Sequence, residues 1–137
     1  MVRCSSLLTK LAVAAARDLR VHQMDLDTAF LYGVMPPEPT LYLEVPIPSH
    51  LVDKTNYIGI VKKGIYGLKQ SPKLWNETVN AYVISLGFTR FTTDLCIYKR
   101  RIEVNCVVVA IYMGDLIIAG SSLSSINIFK EELKSKS

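Results

Sequence analysis

Val104-Asn105-Cys106-Val107-Val108-Val109-Ala110-Ile111-Tyr112-Met113-Gly114-Asp115-Leu116-Ile117-Ile118-Ala119-Gly120 holds two runs rich in Val and Ile, each of strand length, around Tyr112-Met113-Gly114-Asp115. β-Branched residues suit a pleated, packed surface, and glycine supplies the backbone freedom a tight turn needs. The stretch predicts a buried β-hairpin with Asp115 held at its tip. Taken alone it is an ordinary turn with a solvated carboxylate, because Gly and Asp are common turn residues. A chemical role for Asp115 needs partners elsewhere in the chain.

The chain has 137 residues, half of them hydrophobic and a fifth charged, which suits one domain with a real core and argues against disorder. Its formal charge of +4 is mild. Lys62, Lys63, Lys69 and Lys73 form one basic cluster and Lys99, Arg100 and Arg101 another. Both fit either a phosphate-bearing partner or plain solvated faces. Cys4, Cys96 and Cys106 are odd in number and lack C-x-x-C spacing, which argues against a disulfide framework or zinc site and suits a reducing, intracellular setting. The apolar run ending at Ile111 is too short for a bilayer and is interrupted by Asn105 and the turn, so no membrane span is expected. Lys10 leaves only Leu11 to Ala16 as an apolar stretch near the start, too short for a secretion signal. The sequon Asn76-Glu77-Thr78 falls in a predicted helix and is read as chance.

Outward from the hairpin, Leu7, Leu8, Leu11, Ala15 and Leu19 recur at helical spacing and predict a helix over Ser6 to Leu19, with Ser5 or Ser6 as N-cap. Val21 to Asp25 alternates like a strand, and Gly33 terminates the segment that follows. His22 has no second His near it in sequence and reads as a surface or packing residue. Residues 34–50 carry Pro36, Pro37, Pro39, Pro46 and Pro48, so a loop is expected there, extended at most over Leu41 to Val45 and serving as a site cover or a connector. Tyr57 to Lys62 reads as a strand. Ser71 as N-cap and Pro72 at the first helical position open a helix that carries Leu74, Trp75, Val79, Tyr82, Val83 and Leu86 and stops at Gly87. Phosphate-binding loops also place Gly and Lys before a helix, but the full P-loop pattern is not present. Thr93 to Lys99 predicts a strand that turns through Arg100 to Glu103 into the hairpin, and Ser125 caps a last helix from Ile126 to Lys134. This order predicts an α+β fold: an antiparallel sheet with helices packed on one face.

Three stretches then line up with one family. Gln23-Met24-Asp25-Leu26-Asp27-Thr28-Ala29-Phe30-Leu31, Gly64-Ile65-Tyr66-Gly67-Leu68-Lys69-Gln70-Ser71-Pro72-Lys73-Leu74-Trp75 and Tyr112-Met113-Gly114-Asp115-Leu116-Ile117-Ile118-Ala119-Gly120 resemble, in order and spacing, the reverse transcriptase of Ty1/copia-type LTR retrotransposons. Ser85-Leu86-Gly87-Phe88 and Asp94-Leu95-Cys96-Ile97-Tyr98 fit the same family. The resemblance implies a polymerase palm with part of the fingers, acting on an RNA or DNA primer-template and deoxynucleotides with Mg2+. It implies that Asp25 and Asp115 are catalytic metal ligands and that the carbonyl of Leu26 can join them. Phe30 matches the residue that closes the nucleotide pocket beneath the sugar. Tyr66, Gly67 and Lys69 match the motif that lines the incoming nucleotide and template, and Tyr112 and Met113 match hairpin residues that touch the primer terminus. Lys62 and Lys63 are the basic residues expected to meet the primer-template.

Nucleotide addition is an in-line displacement in which two metal ions stabilise the attacking and leaving oxygens. Mg2+ takes few carboxylates in near-octahedral geometry, so carboxylates from adjacent strand ends must converge. The chain departs from the family here: the hairpin motif normally carries two consecutive aspartates, and Gly114 replaces the first. Asp27, where the family often has a basic residue, is an extra carboxylate at a point where the chain turns. The sequence also matches a single truncated palm and fingers domain over 1–137, without the start of the fingers or the thumb, as if cut from a longer polyprotein. The expectation is a polymerase by descent that is inactive as it stands. Two other readings are a non-catalytic nucleic-acid-binding remnant using Lys62, Lys63, Lys69 and the Arg100 cluster, and a degenerate gene product.

Overall fold

A computed structural model describes residues 2–44 and 58–135. Val45, Pro46, Pro48, Tyr57, Lys136 and Ser137, on which some sequence expectations fall, lie outside the described residues. The elements run α1 (Cys4–Ala16), β1 (Arg20–Asp25), a 3-10 turn (Ala29–Tyr32), β2 (Tyr42–Glu44), β3 (Ile58–Ile60), α2 (Ser71–Ser85), β4 (Thr89–Arg90), β5 (Ile97–Ile102), β6 (Asn105–Tyr112), β7 (Asp115–Gly120) and α3 (Leu123–Lys134). They form two compact units, one of Met1–Ala29 with Val79–Ser137 and one of Phe30–Thr78.

The first unit is built on a five-stranded antiparallel sheet in the order β1-β7-β6-β5-β4. The expected hairpin is its centre, with Ile111 opposite Leu116 and Val109 opposite Ile118, all four buried. These side chains share a face with Tyr98, whose hydroxyl meets Asn80 Oδ1 of α2 at 3.2 Å, and with Arg100, whose guanidinium pairs with Glu132 of α3 at 2.9 Å. Val79, Val83, Ile126, Phe129 and Leu133 complete this layer, so α2 and α3 lie on one side. The opposite face carries Ile97, Ala110, Val108 and Ile117, with Val2 and Leu7 of the α1 region packed against it. All helices on one face was the expectation; the structure divides them. The cause is visible in β6, where Val107, Val108, Val109 and Ala110 are consecutively apolar, and a strand that is apolar on both sides needs cover on both.

Helix ends moved for local reasons. Helix α1 stops at Ala16 and not at Leu19, because the N–H groups of Leu19 and Asp18 turn back to the carbonyls of Ala14 (2.8 Å) and Ala15 (3.2 Å), with Asp18 at φ 51°. This is a Schellman ending in which Asp occupies the position usually given to Gly. Helix α2 ends the same way at Gly87 (φ 84°), as its sequence suggested. Helix α3 starts at Leu123, three residues before the expected Ile126, and Ser125 is buried inside it and does not cap it. Strand β5 begins at Ile97 and not at Thr93, because Asp94 to Cys96 form a turn.

In the second unit β2 pairs with β3, and Val34 bridges Lys63. A Cβ on Gly64 would fall 2.7 Å from the Phe30 carbonyl oxygen, so only glycine permits that approach. The Ser71 hydroxyl donates to the Ile65 carbonyl at 2.6 Å, tying the preceding loop to the start of α2.

Asp94 pins the chain start to the sheet. Its carboxylate, 6% exposed, accepts the N–H groups of Arg3 (2.9 Å) and Cys96 (3.0 Å) and a bond from Ser6. Burial alone would raise its pKa, but these donors and the Arg3 charge outweigh it and hold the group below its ordinary value of 3.8. A lowered folded pKa contributes stability that is full above the ordinary value and is lost progressively as pH falls from there through the lowered one. Asp94→Asn is therefore expected to cost about 1–3 kcal/mol near neutral pH. Urea unfolding at neutral and acid pH should show the gap from wild type narrowing on acidification; a gap independent of pH would contradict this role.

Candidate functional site

Strand β1 pairs with β7 so that Asp25 stands directly opposite Asp115. The Leu26 N–H donates to the Gly114 carbonyl at 2.9 Å, one step further along the ladder. Hydrogen-bonded and non-hydrogen-bonded pairs alternate between antiparallel strands, so the two aspartates occupy a non-hydrogen-bonded pair, with Cα atoms about 4.5 Å apart and side chains on the same face. That face is the one carrying Ile117 and Ala110, away from α2 and α3. Asp25 is exposed and Asp115 half-buried. Gln23, two residues before Asp25 and on its face, donates from Nε2 to Asp115 Oδ1 at 3.1 Å. Like charges directly opposite each other destabilise a sheet, and the Gln23 amide offsets part of that cost.

The turn between β6 and β7 corrects the expectation that Gly114 supplies its backbone freedom. Met113 has the left-handed φ of 52°, and Gly114 is not in that region. A Cβ on Gly114 would lie 3.3 Å from the Leu26 carbonyl oxygen, 3.4 Å from the Ala29 Cβ and 3.4 Å from Asp25 Oδ1. Such contacts are tight, with none below 3.0 Å, so a side chain here needs its neighbours, the Leu26 carbonyl first, to give by a few tenths of an ångström, while the backbone conformation itself does not demand glycine. A side chain at 114 would stand beside Asp25 and the Leu26 carbonyl.

The oxygen donors present are those a hard cation takes: two facing carboxylates and the Leu26 carbonyl beside position 114. Mg2+ is commonly held by one or two carboxylates plus substrate phosphates and water, so Asp25 and Asp115 fit one ion. Among the described residues no group of three or more His, Cys, Asp or Glu side chains converges, and Asp27 lies past the end of β1, exposed. Tyr112 and Met113 are exposed at the hairpin tip, Tyr112 directly opposite Asp115.

The other sequence-marked residues belong to the second unit. Phe30 is buried and meets Tyr66 edge to face, ring centroids 4.6 Å apart, while Tyr66 itself is 71% exposed. Gly67 has φ 93°, a conformation that favours glycine, with open space where a Cβ would stand. Lys62, Lys63 and Lys69 are exposed. Arg100, grouped by sequence with the basic residues, is committed elsewhere: it donates to the Leu86 carbonyl (2.8 Å) and Glu132 (2.9 Å) and lies over the Phe88 ring. Sequence reasoning missed Gln23 as a partner of Asp115; strand alternation, which puts residues 23 and 25 on one face, was the available signal.

Two carboxylates facing across β1 and β7 and a glycine-bearing loop before α2 are thus the features the motifs marked, and the family follows from comparison with known proteins. Residues 1–137 match the reverse transcriptase (RNA-dependent DNA polymerase) family, and the chain belongs to it. It is of the Ty1/copia type, as its motifs suggested. The chain is 34% identical over 134 residues to the retrovirus-related Pol polyprotein from transposon TNT 1-94 of Nicotiana tabacum, covering 97% of this chain and 10% of that protein. It is 36% identical over 111 residues to the transposon Ty5-1 protein of Saccharomyces cerevisiae (80% and 35%), and 29% identical over 130 residues to the yeast transposon Ty1-DR4 Gag-Pol polyprotein (94% and 7%). It thus spans only a small part of the tobacco and Ty1 polyproteins. No solved structure matches significantly.

If Gly114 is not required by the turn, Gly114→Ala should change stability by no more than about 1 kcal/mol. Met113→Gly, which relieves a left-handed non-glycine residue, should be neutral or stabilise by up to about 1 kcal/mol. Thermal melts of the two variants check this; a loss of several kcal/mol in Gly114→Ala would return the glycine to a purely structural role.

Proposed function

We propose that this chain is the palm, with part of the fingers, of an RNA-directed DNA polymerase belonging to a longer retrotransposon polyprotein, and that Gly114 leaves it catalytically silent. The observation that carries the reading is the direct pairing of Asp25 with Asp115, with position 114 beside both the Asp25 carboxylate and the Leu26 carbonyl. Folding alone does not favour two facing carboxylates, whereas a divalent cation would offset their repulsion.

In this reading Asp25 and Asp115, with the Leu26 carbonyl, hold Mg2+. The bound ion supplies charge stabilisation to phosphate oxygens during nucleotidyl transfer. Gln23 restrains one oxygen of Asp115 and leaves the other for coordination. Tyr112 and Met113 present an exposed edge to the primer terminus. Phe30, braced by Tyr66, shapes the floor of the nucleotide pocket, Gly67 lets the backbone approach the nucleotide, and Lys69, Lys62 and Lys63 supply positive charge to phosphates. Removing groups that merely orient metal ligands costs about 10–100-fold in affinity or activity, so the missing carboxylate at 114 should cost at least that much. The corresponding setting is intracellular, with RNA or DNA primer-template and deoxynucleotides as partners.

Primer extension on an RNA template, run alongside Mn2+ titration followed by paramagnetic broadening, tests the reading. Gly114→Asp is expected to bind Mn2+ at least about 10-fold more tightly than wild type and to gain extension activity. Adding Asp25→Asn should remove both gains. Robust extension by the wild-type chain would overturn the silence, and no gain in metal affinity on Gly114→Asp would overturn the assigned ligand set.

A further inference from the structure

His22 and Lys130 have no place in the roles described so far. Lys130 Nζ of α3 lies 2.8 Å from His22 Nδ1 of β1, and both residues are half-buried. An ammonium group carries donors only, so Lys130 donates and the imidazole nitrogen accepts. Among the described residues Lys130 enters no ion pair. The other side-chain hydrogen bond from β1 runs from Gln23 to Asp115, within the sheet. The bond to Lys130 is therefore the one among them that ties this edge strand to a helix.

Strand β1 needs such a tie because its sequence repeats. Met24-Asp25 is followed by Leu26-Asp27, so a shift of two residues along β7 would restore the pattern, with Met24 opposite Ile118, Leu26 opposite Leu116 and Asp27 opposite Asp115. A shift of one residue sends side chains to the wrong face; a shift of two keeps every face. Apolar burial does not oppose it either, since Met would replace His against the buried Ile118 and Leu would replace Met against the buried Leu116. A shift of two in the other direction carries Asp25 past Asp115, where β7 begins.

The two side-chain hydrogen bonds do distinguish the registers. On the acidic face Asp25 would take the place of Gln23, exchanging an amide donor to Asp115 for a third carboxylate. A divalent cation would offset that crowding, so this restraint weakens when metal is bound. On the other face the shift would carry His22 about 7 Å along the strand and bring Met24, with only a weak sulfur acceptor, before Lys130. The half-buried ammonium would lose its acceptor, and a cation on the opposite face repairs nothing there. We propose that Lys130, acting through His22, is a positioning residue that holds β1 in the register in which Asp25, and not Asp27, faces Asp115. The inference rests on the metal reading for the chemical use of that choice, because Asp25 is the carboxylate beside position 114; the register itself needs no metal.

The test is nuclear magnetic resonance of the labelled full chain, free of metal, as wild type, Lys130→Met, which removes the donor, and Lys130→Arg, which keeps one. Two readings are taken: the α-proton cross-peaks of Asp115, and the hydrogen exchange of the His22, Met24 and Leu26 amides that face β7 relative to those of β6. In Lys130→Met an Asp27–Asp115 cross-peak should appear at the expense of Asp25–Asp115. The three β1 amides should exchange at least about 10-fold faster relative to β6, the change expected for losing a hydrogen bond to a charged group. Lys130→Arg should resemble wild type in both readings. Exchange that quickens uniformly across the sheet, with the Asp25–Asp115 peak alone, would make Lys130 merely structural and overturn the proposal. So would a Lys130→Met spectrum like that of wild type, or a Lys130→Arg spectrum like that of Lys130→Met. Faster exchange confined to β1 without the Asp27 cross-peak also overturns it, because the bond would then hold the strand down without choosing its register. Failure of Gly114→Asp to bind Mn2+ would reject the metal reading and leave the register result standing.

Discussion

The register between β1 and β7 is the constraint on which the site depends. Strand β1 lies at the sheet edge, so its placement in the sheet rests on the ladder to β7 alone. Side chains alternate with a period of two, and a slip of one residue would send Asp25 to the face of α2 and α3 while Asp115 stayed where it is. The pairs on the other face, Met24 opposite Leu116 and His22 opposite Ile118, resist such a slip because Leu116 and Ile118 are fully buried. Packing on one side of the sheet thus fixes a chemically costly pairing on the other. Two carboxylates face each other because the core beneath them and the Lys130 bond to His22 hold that arrangement.

The same geometry separates what the fold requires from what the chemistry requires. The turn places its left-handed residue at Met113, so its backbone conformation does not call for glycine at 114. A side chain there would meet the Leu26 carbonyl and the Asp25 carboxylate, the two groups that with Asp115 make up a set of oxygen donors. In the proposed reading, the chain's departure from its family at this position is a lost metal ligand beside these two groups. Strand alternation acts again in β5, where it divides Lys99, Arg100 and Arg101 between an open basic face and an ion pair with α3.

Much of this was legible in the sequence. The hairpin could be read because Val and Ile runs leave little alternative to a buried strand pair, and the end of α2 because Gly87 supplies a left-handed residue. Asp25 and Asp115 were identified by motif, and the structure pairs them. What escaped detection was set by contacts remote in sequence. Cover on both sheet faces depends on α1 packing Leu7 against β6, the end of α1 on Asp18 adopting a conformation expected of glycine, and the commitment of Arg100 on Glu132, thirty-two residues away. Periodicity carries no record of such partners. His22, read as a surface or packing residue, bonds through Nδ1 to Lys130 Nζ at 2.8 Å, again a contact with α3.

The most direct test of the account is the nuclear Overhauser effect between α-protons across β1 and β7 in the labelled chain. Non-hydrogen-bonded antiparallel pairs bring α-protons close together, and hydrogen-bonded pairs do not. Strong α-proton cross-peaks between Asp25 and Asp115 and between Gln23 and Ile117, with none between Met24 and Leu116, are the predicted result. A strong peak between Met24 and Leu116, or between Asp25 and a neighbour of Asp115 in its place, would show that the carboxylates do not face each other and would contradict the account.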